Sequence, residues 1–158
     1  MTSADFDPAY GYAPQGGAGR PGGLGARFFA RLIDGVLVNV VAFFLSLFLF
    51  EDNYPWLVTG LFSGVLMFGY FVLFEVAQGA SLGKRLFGLS VHGPGGAPRP
   101  DLTQSAIRNS FTLLSVIPYL GGLLAVIAYV VIAVTISGSP TKQGKHDELA
   151  GGTQVVKA

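Results

Sequence analysis

The chain has no cysteine, which removes disulfides, thiolate metal sites and cysteine nucleophiles in one step. Charge is also scarce. Asp, Glu, Lys and Arg make up 12% of the 158 residues, about half of the ~25% typical of a soluble domain, too little to coat a water-facing surface. Neither sign dominates. Ten Lys+Arg against nine Asp+Glu leave a net charge of +1, so no broad positive field exists to hold nucleic acid. Only two histidines occur, His92 and His146, and neither stands among other ligands at metal spacing. No Ser-His-Asp or paired-carboxylate arrangement stands out from the polar loops. The sequence therefore predicts no catalytic residue, no metal, no cofactor and no enzymatic activity.

What is abundant is apolar. Hydrophobic residues are 51% of the chain, with 13 Phe, and the mean hydropathy is +0.54. These residues fall in long blocks, which excludes a disordered chain, a solvated coiled coil and most soluble enzymes. Residues 1–23 lack apolar periodicity and read as a flexible Gly/Pro/Tyr-rich tail; residues 24–156 read as one membrane domain. From Leu32 to Phe50 the chain is almost wholly apolar, interrupted by Asp34 and Asn39. At ~1.5 Å per residue this spans roughly 29 Å, one hydrocarbon core. A signal peptide would end in small residues; this run ends Phe48-Leu-Phe-Glu51 and predicts a retained helix. Asn53 to Phe74 is a second uncharged window, with Tyr54 and Trp56 placed for an interfacial belt and Pro55 for a first helical turn. It contains Gly60-Leu-Phe-Ser-Gly64, a small-residue motif that packs helices closely, either within the chain or as the seam of a homo-oligomer.

Glu75 to Arg108 is a polar, Gly/Pro-rich stretch carrying Lys84, Arg85 and Arg99. Leu86 to His92 reads as a short extended segment before the turn Gly93-Pro-Gly-Gly96. Asp101 or Thr103 can cap a following helix, with Gln104 three residues after Asp101. Residues 109–141 then carry no charge. They are too many for one span and too few for two full ones. Pro118-Tyr-Leu-Gly-Gly122 offers a break, giving helices at about Thr103–Ile117 and Leu123–Ile136, before a polar tail from Lys142. The fold class expected is an all-α membrane protein: two transmembrane helices plus a Pro/Gly-broken helical pair, three to four membrane helices in all. A polar cytoplasmic loop joins helices two and three.

Basic residues set the orientation. Arg20, Arg27 and Arg31 precede the first span, the first loop holds Glu51 and Asp52, and the second loop is basic. The N-terminus and second loop are expected in the cytoplasm. The C-terminal Lys142, Lys145 and Lys157 obey the same rule if the last window forms a hairpin, and break it if that window crosses once. Arg27 and Asp34, seven residues apart, share a helical face. They read either as a structural ion pair or as a proton or cation site, with Asn39 extending the polar track. Gly79-Ala-Ser-Leu-Gly83-Lys84-Arg85 has too few residues between its glycines for a phosphate loop, and Arg follows its Lys where that loop needs Ser or Thr. A turn presenting Lys84 and Arg85 to anionic lipid headgroups is expected instead.

Three blocks in order resemble the RDD family of small bacterial integral membrane proteins. They are Arg27-Phe-Phe-Ala-Arg-Leu-Ile-Asp34; Gly79-Ala-Ser-Leu-Gly83-Lys84-Arg-Leu-Phe-Gly88-Leu-Ser-Val91, with Glu75 upstream; and His146-Asp147-Glu-Leu-Ala-Gly-Gly-Thr153-Gln-Val-Val156. The double Gly151-Gly152 departs from the single glycine usual there. The resemblance implies a multi-pass protein of the bacterial plasma membrane, named for one Arg and two Asp, here Arg27, Asp34 and Asp147. Combined with the hairpin, it predicts a cytoplasmic-side cluster of Arg27, Asp34, Glu75, Lys84 and Asp147, in which Arg27 bridges both aspartates. Two functions remain open: transport or cation/proton exchange through this cluster, or a structural or accessory subunit that docks an unidentified partner while the cluster only stabilises the fold.

Overall fold

The apolar windows become helices. A computed structural model describes residues 19–49 and 55–157, without the side chains of residues 49 and 55–62. Most of the expected tail, the acids of the first loop, Tyr54, the Trp56 side chain and the surroundings of Gly60 lie outside the described residues. Helix α1 runs Leu24–Leu49 and α2 runs Pro55–Gln78. Pro55 opens α2, where its missing N–H costs nothing. The two are antiparallel: Asp34 meets Tyr70, and Gly35 faces Met67. A short helix α3, Leu82–Leu86, starts at Ser81, whose side chain accepts from the Lys84 N–H.

Helix α4, Leu102–Asn109, opens with a capping box between Asp101 and Gln104, as the three-residue spacing predicts. It then tightens into a 3₁₀ stretch, Ser110–Val116. The cause is local. Ser110, Thr112 and Ser115 each donate a hydroxyl to the carbonyl three residues back, at 2.8 Å, drawing the backbone into the narrower helix. A 3₁₀ stretch rises ~2.0 Å per residue against ~1.5 Å for an α-helix, so Leu102–Val116 reaches roughly 26 Å. That resolves the length problem of the uncharged window. The chain breaks at Ile117–Leu120, with Tyr119 at φ 62°, and returns as α5, Gly121–Gly138. The return is antiparallel: Phe111 meets Tyr129 at 5.3 Å, and the Lys145 N–H reaches the Thr135 hydroxyl beyond it. Helix α6, Lys145–Leu149, follows.

The all-α expectation needs one correction. Strands β1 (Arg20–Pro21), β2 (Leu89–His92) and β3 (Gln154–Lys157) form an antiparallel sheet in the order β1-β3-β2. The extended segment expected at Leu86–His92 is β2, with its first residue in α3. The sequence reads Arg20–Pro21 as part of the flexible tail and residues 154–157 as part of the polar stretch from Lys142, yet Arg20 pairs with Lys157 and Val91 with Val155. The driving force is burial. Leu89, Val91 and Val155 close over Ala30 on α1 with Phe87 alongside, and these apolar side chains leave water together.

Leu24–Phe48 and Gly121–Gly138 are long and apolar enough to cross a membrane, and Ser63–Gln78 is a shorter apolar helix. The core helix of a soluble protein would be mostly buried. Here only 22% and 11% of the two spans is buried, and Phe43, Phe44, Leu47, Val130 and Val134 are exposed. Apolar surface on that scale fits lipid. Gly64 packs within the chain: a Cβ there would lie 2.7 Å from the Val116 side chain.

Candidate functional site

Three acids among the described residues are wholly buried, Asp34, Glu75 and Asp147. A buried carboxylate must be hydrogen-bonded or paired, and each of these is surrounded. Asp34 accepts from the Tyr70 hydroxyl (2.6 Å), the Ser81 hydroxyl (2.5 Å) and the Gly83 N–H (2.7 Å). It thereby ties α1 to α2 and to the start of α3. Glu75, on the last turns of α2, takes the Lys84 ammonium, the Ser105 hydroxyl (3.0 Å) and the Asn109 amide (2.9 Å), with Arg108 Nε at 3.6 Å. Asp147 pairs with Arg108 at 2.5 Å and accepts from Thr153 and the Gly144 N–H, with Arg27 Nη1 at 3.6 Å.

The expected cluster is therefore two linked centres. Arg108 joins Glu75 to Asp147, and Lys84 and Arg27 close the ends. Arg27 meets Asp147 as predicted but does not bridge to Asp34. Its Nε donates to the Gly22 carbonyl and its Nη2 to that of Val155, so its reach goes to the sheet. Asp34 is held by neutral donors instead. Gly83 makes this possible by its close approach: a Cβ there would run into the Ala30 carbonyl and lie 2.9 Å from the Asp34 carboxyl carbon.

Several residues escaped the sequence reading. The sequence places Arg108 near the start of the helix expected at Thr103–Ile117 but gives it no acid, and it gives Ser105 and Tyr70 no partner. Ser105, Arg108 and Asn109 sit at i, i+3 and i+4, one polar face of α4, a signal present in the sequence once Asp101 is taken as the cap. Arg31 stacks its guanidinium 3.8 Å from the Phe71 ring centre and donates to Asn109 at 3.0 Å. No carboxylate pairs with it among the described residues.

Electrostatics follow from burial. His146 is pushed down to about 3, first by desolvation and further by Arg108, Arg31 and Lys84, with Asp147 opposing; it is neutral at physiological pH. Burial alone would raise Asp147, but Arg108, the Gly144 N–H and Arg27 hold it below the ordinary carboxylate range. Lys84 is pushed down to about 8 by burial, against the pull of Glu75 and with the push of Arg108 and Arg31. It stays mainly charged at pH 7. The four cations Arg27, Arg31, Lys84 and Arg108 then exceed the three acids by one.

These cations line a cavity of about 680 Å³. Its walls are apolar, with Leu32 and Val36 of α1, Met67 of α2 and Val126, Val130 and Ala133 of α5, and Asn39 also reaches it. The helices α1 and α5 touch only sparsely, which leaves the cleft between them.

Fold and site together define a class: a helical protein with two membrane-length apolar helices among the described residues, locked at one end by a buried Arg/Asp/Glu network. The chain belongs to the RDD family, whose family model matches residues 21–151. The matched stretch contains Arg27, Asp34 and Asp147, and membership together with the two apolar helices points to a membrane protein. No curated protein matches the chain, and no solved structure does.

Proposed function

We propose that this is a multi-pass protein of the bacterial plasma membrane, with both termini in the cytoplasm, and that its cleft is a solute-binding site serving transport. The observation that carries the reading is that four cationic side chains line one apolar-walled cavity while all three buried acids are already engaged. Cation or proton exchange would need a carboxylate free to change partners. Asp34 accepts three hydrogen bonds, so the charge balance favours an anion over a cation.

The second reading, an accessory subunit whose network only stabilises the fold, draws on the tie from Arg27 to Val155 and Asp147. Flux from proteoliposomes separates the two. A labelled short-chain alkyl sulfonate, which cannot cross as a neutral acid, is expected to leave faster than from empty vesicles, and Arg31→Gln is expected to slow it. A wild-type proton flux lost in a folded Asp34→Asn variant would instead establish cation exchange. No flux of any kind would leave the accessory role.

A further inference from the structure

We propose that the cleft between α1 and α5 holds a single-chain anionic amphiphile, its carboxylate or phosphate head among Arg27, Arg31 and Arg108 and its alkyl chain directed along α1 towards Asn39. The proposal rests on the reading of this cleft as a ligand site and names its ligand class.

The head end is built for an anion. Arg27 Nη1, Arg31 Nη1 and Arg108 Nε are buried and have no hydrogen-bond partner among the described residues. Arg27 Nη1 and Arg108 Nε each have a carboxylate oxygen at 3.6 Å, within ion-pair range but too long for a hydrogen bond. Arg31 spends one nitrogen on Asn109 and has no acid paired with it among the described residues. Guanidinium groups suit carboxylate and phosphate oxygens because their N–H donors lie in one plane. All three side chains line the cavity, so one head group placed there meets three guanidinium groups. A cationic head would face the surplus positive charge.

The rest of the cavity is unsuited to a free inorganic anion. Beyond Arg31 its lining is Leu32, Val36, Met67, Val126, Val130 and Ala133, and Asn39 is the next polar group on α1. From Arg31 to Asn39 is roughly 12 Å along the helix axis, room for an alkyl chain beside it. The 680 Å³ volume lies within the ~300–1,000 Å³ of ordinary ligand pockets. One cleft accommodates one chain, so a single-chain amphiphile is assigned rather than a two-chain lipid.

Native mass spectrometry of the full chain in neutral-detergent micelles tests this, with decyl phosphate, decyltrimethylammonium, inorganic phosphate and a diacyl phosphatidic acid as probes. One decyl phosphate per chain is expected, bound at least tenfold more tightly than the other three. Arg31→Gln is expected to weaken it about tenfold. Gly35→Phe fills the cleft without touching a charge, because a Cβ at Gly35 meets only Met67 at 3.9 Å, and is expected to abolish retention. Equal binding of decyltrimethylammonium or of inorganic phosphate, preference for the diacyl lipid, or wild-type binding by folded Gly35→Phe would each overturn the proposal. Decyl phosphate binding without flux ends the transport reading and leaves this one standing; flux without amphiphile binding does the reverse.

Discussion

A carboxylate cut off from water must find its counter-groups inside the protein, and an imidazole in the same place gives up its charge. Asp147 and His146 are neighbours that illustrate both outcomes. Asp147 keeps its charge through Arg108, Thr153 and the Gly144 N–H. His146, set against Phe111 at 5.9 Å and hemmed by cations, is held neutral. The linkage has a definite sign. The folded value of about 3 lies below the ~6.5 of an unfolded histidine, so the unfolded chain takes up a proton that the folded chain refuses. Stability is therefore complete above pH 6.5 and declines as pH falls towards 3. Thermal unfolding in detergent is expected to show about 2 kcal/mol less stability at pH 5 than at pH 7. His146→Gln should flatten the dependence across that window. An unchanged slope in the variant would mean that His146 is solvated rather than sealed.

Among the elements, α3 has the least freedom. Its start is pinned to Asp34 by Ser81 and the Gly83 N–H, and Gly83 lies directly on the Ala30 backbone. Gly83→Ala is expected to cost about 1–3 kcal/mol, the usual range for overpacking, measured as a lowered midpoint of denaturation. Gly25→Ala in α1 meets nothing within 4 Å and should be neutral, a control for glycine replacement in itself. Which elements the sequence disclosed follows from their physical signals. Helices α1, α2 and α5 contain long apolar runs that a hydropathy window detects. The α4 cap is a four-residue chemical signature. Strand β2 registers as an extended segment before its Gly/Pro turn, whereas β1 and β3, of two and four residues, carry too few alternating positions, and the sheet forms because Ala30 gives Leu89, Val91 and Val155 a surface to cover. The paired glycines beyond α6 make sense only in the structure. Gly151 and Gly152 both adopt positive φ, 88° and 93°, and two left-handed residues in succession turn the chain from α6 into β3.

For the molecule as a whole, the decisive feature is that α5 returns to the end from which α4 set out. Arg20 then lies opposite Lys157, and Arg27 reaches residues about 120 positions away. A reporter fused after Lys157 is accordingly expected to be active in the cytoplasm, like one fused ahead of Arg20. Periplasmic activity at the C-terminal site alone would be incompatible with this arrangement of ends. Charge counting and the Pro118 break made the return legible, and together with the family resemblance they made the Arg27–Asp147 contact legible. The role of Arg108 was not legible. Its two carboxylates come from α2 and α6, and nothing in the local sequence ties one arginine to acids on separate elements. The same holds for Tyr70 and Asp34, which meet only because α1 and α2 pack antiparallel.

The sheet order β1-β3-β2 also bears on biosynthesis. The strand that both others pair with is the last of the three to leave the ribosome. Until residues 154–157 emerge, the edges at Arg20–Pro21 and Leu89–His92 have no template, and before Asp147 appears Arg27 has no counter-ion there. A nascent chain can thread its apolar helices into the translocon early, but its basic entrance stays unsealed until translation has run through the final strand. A product that stops short of β3 would carry that opening permanently.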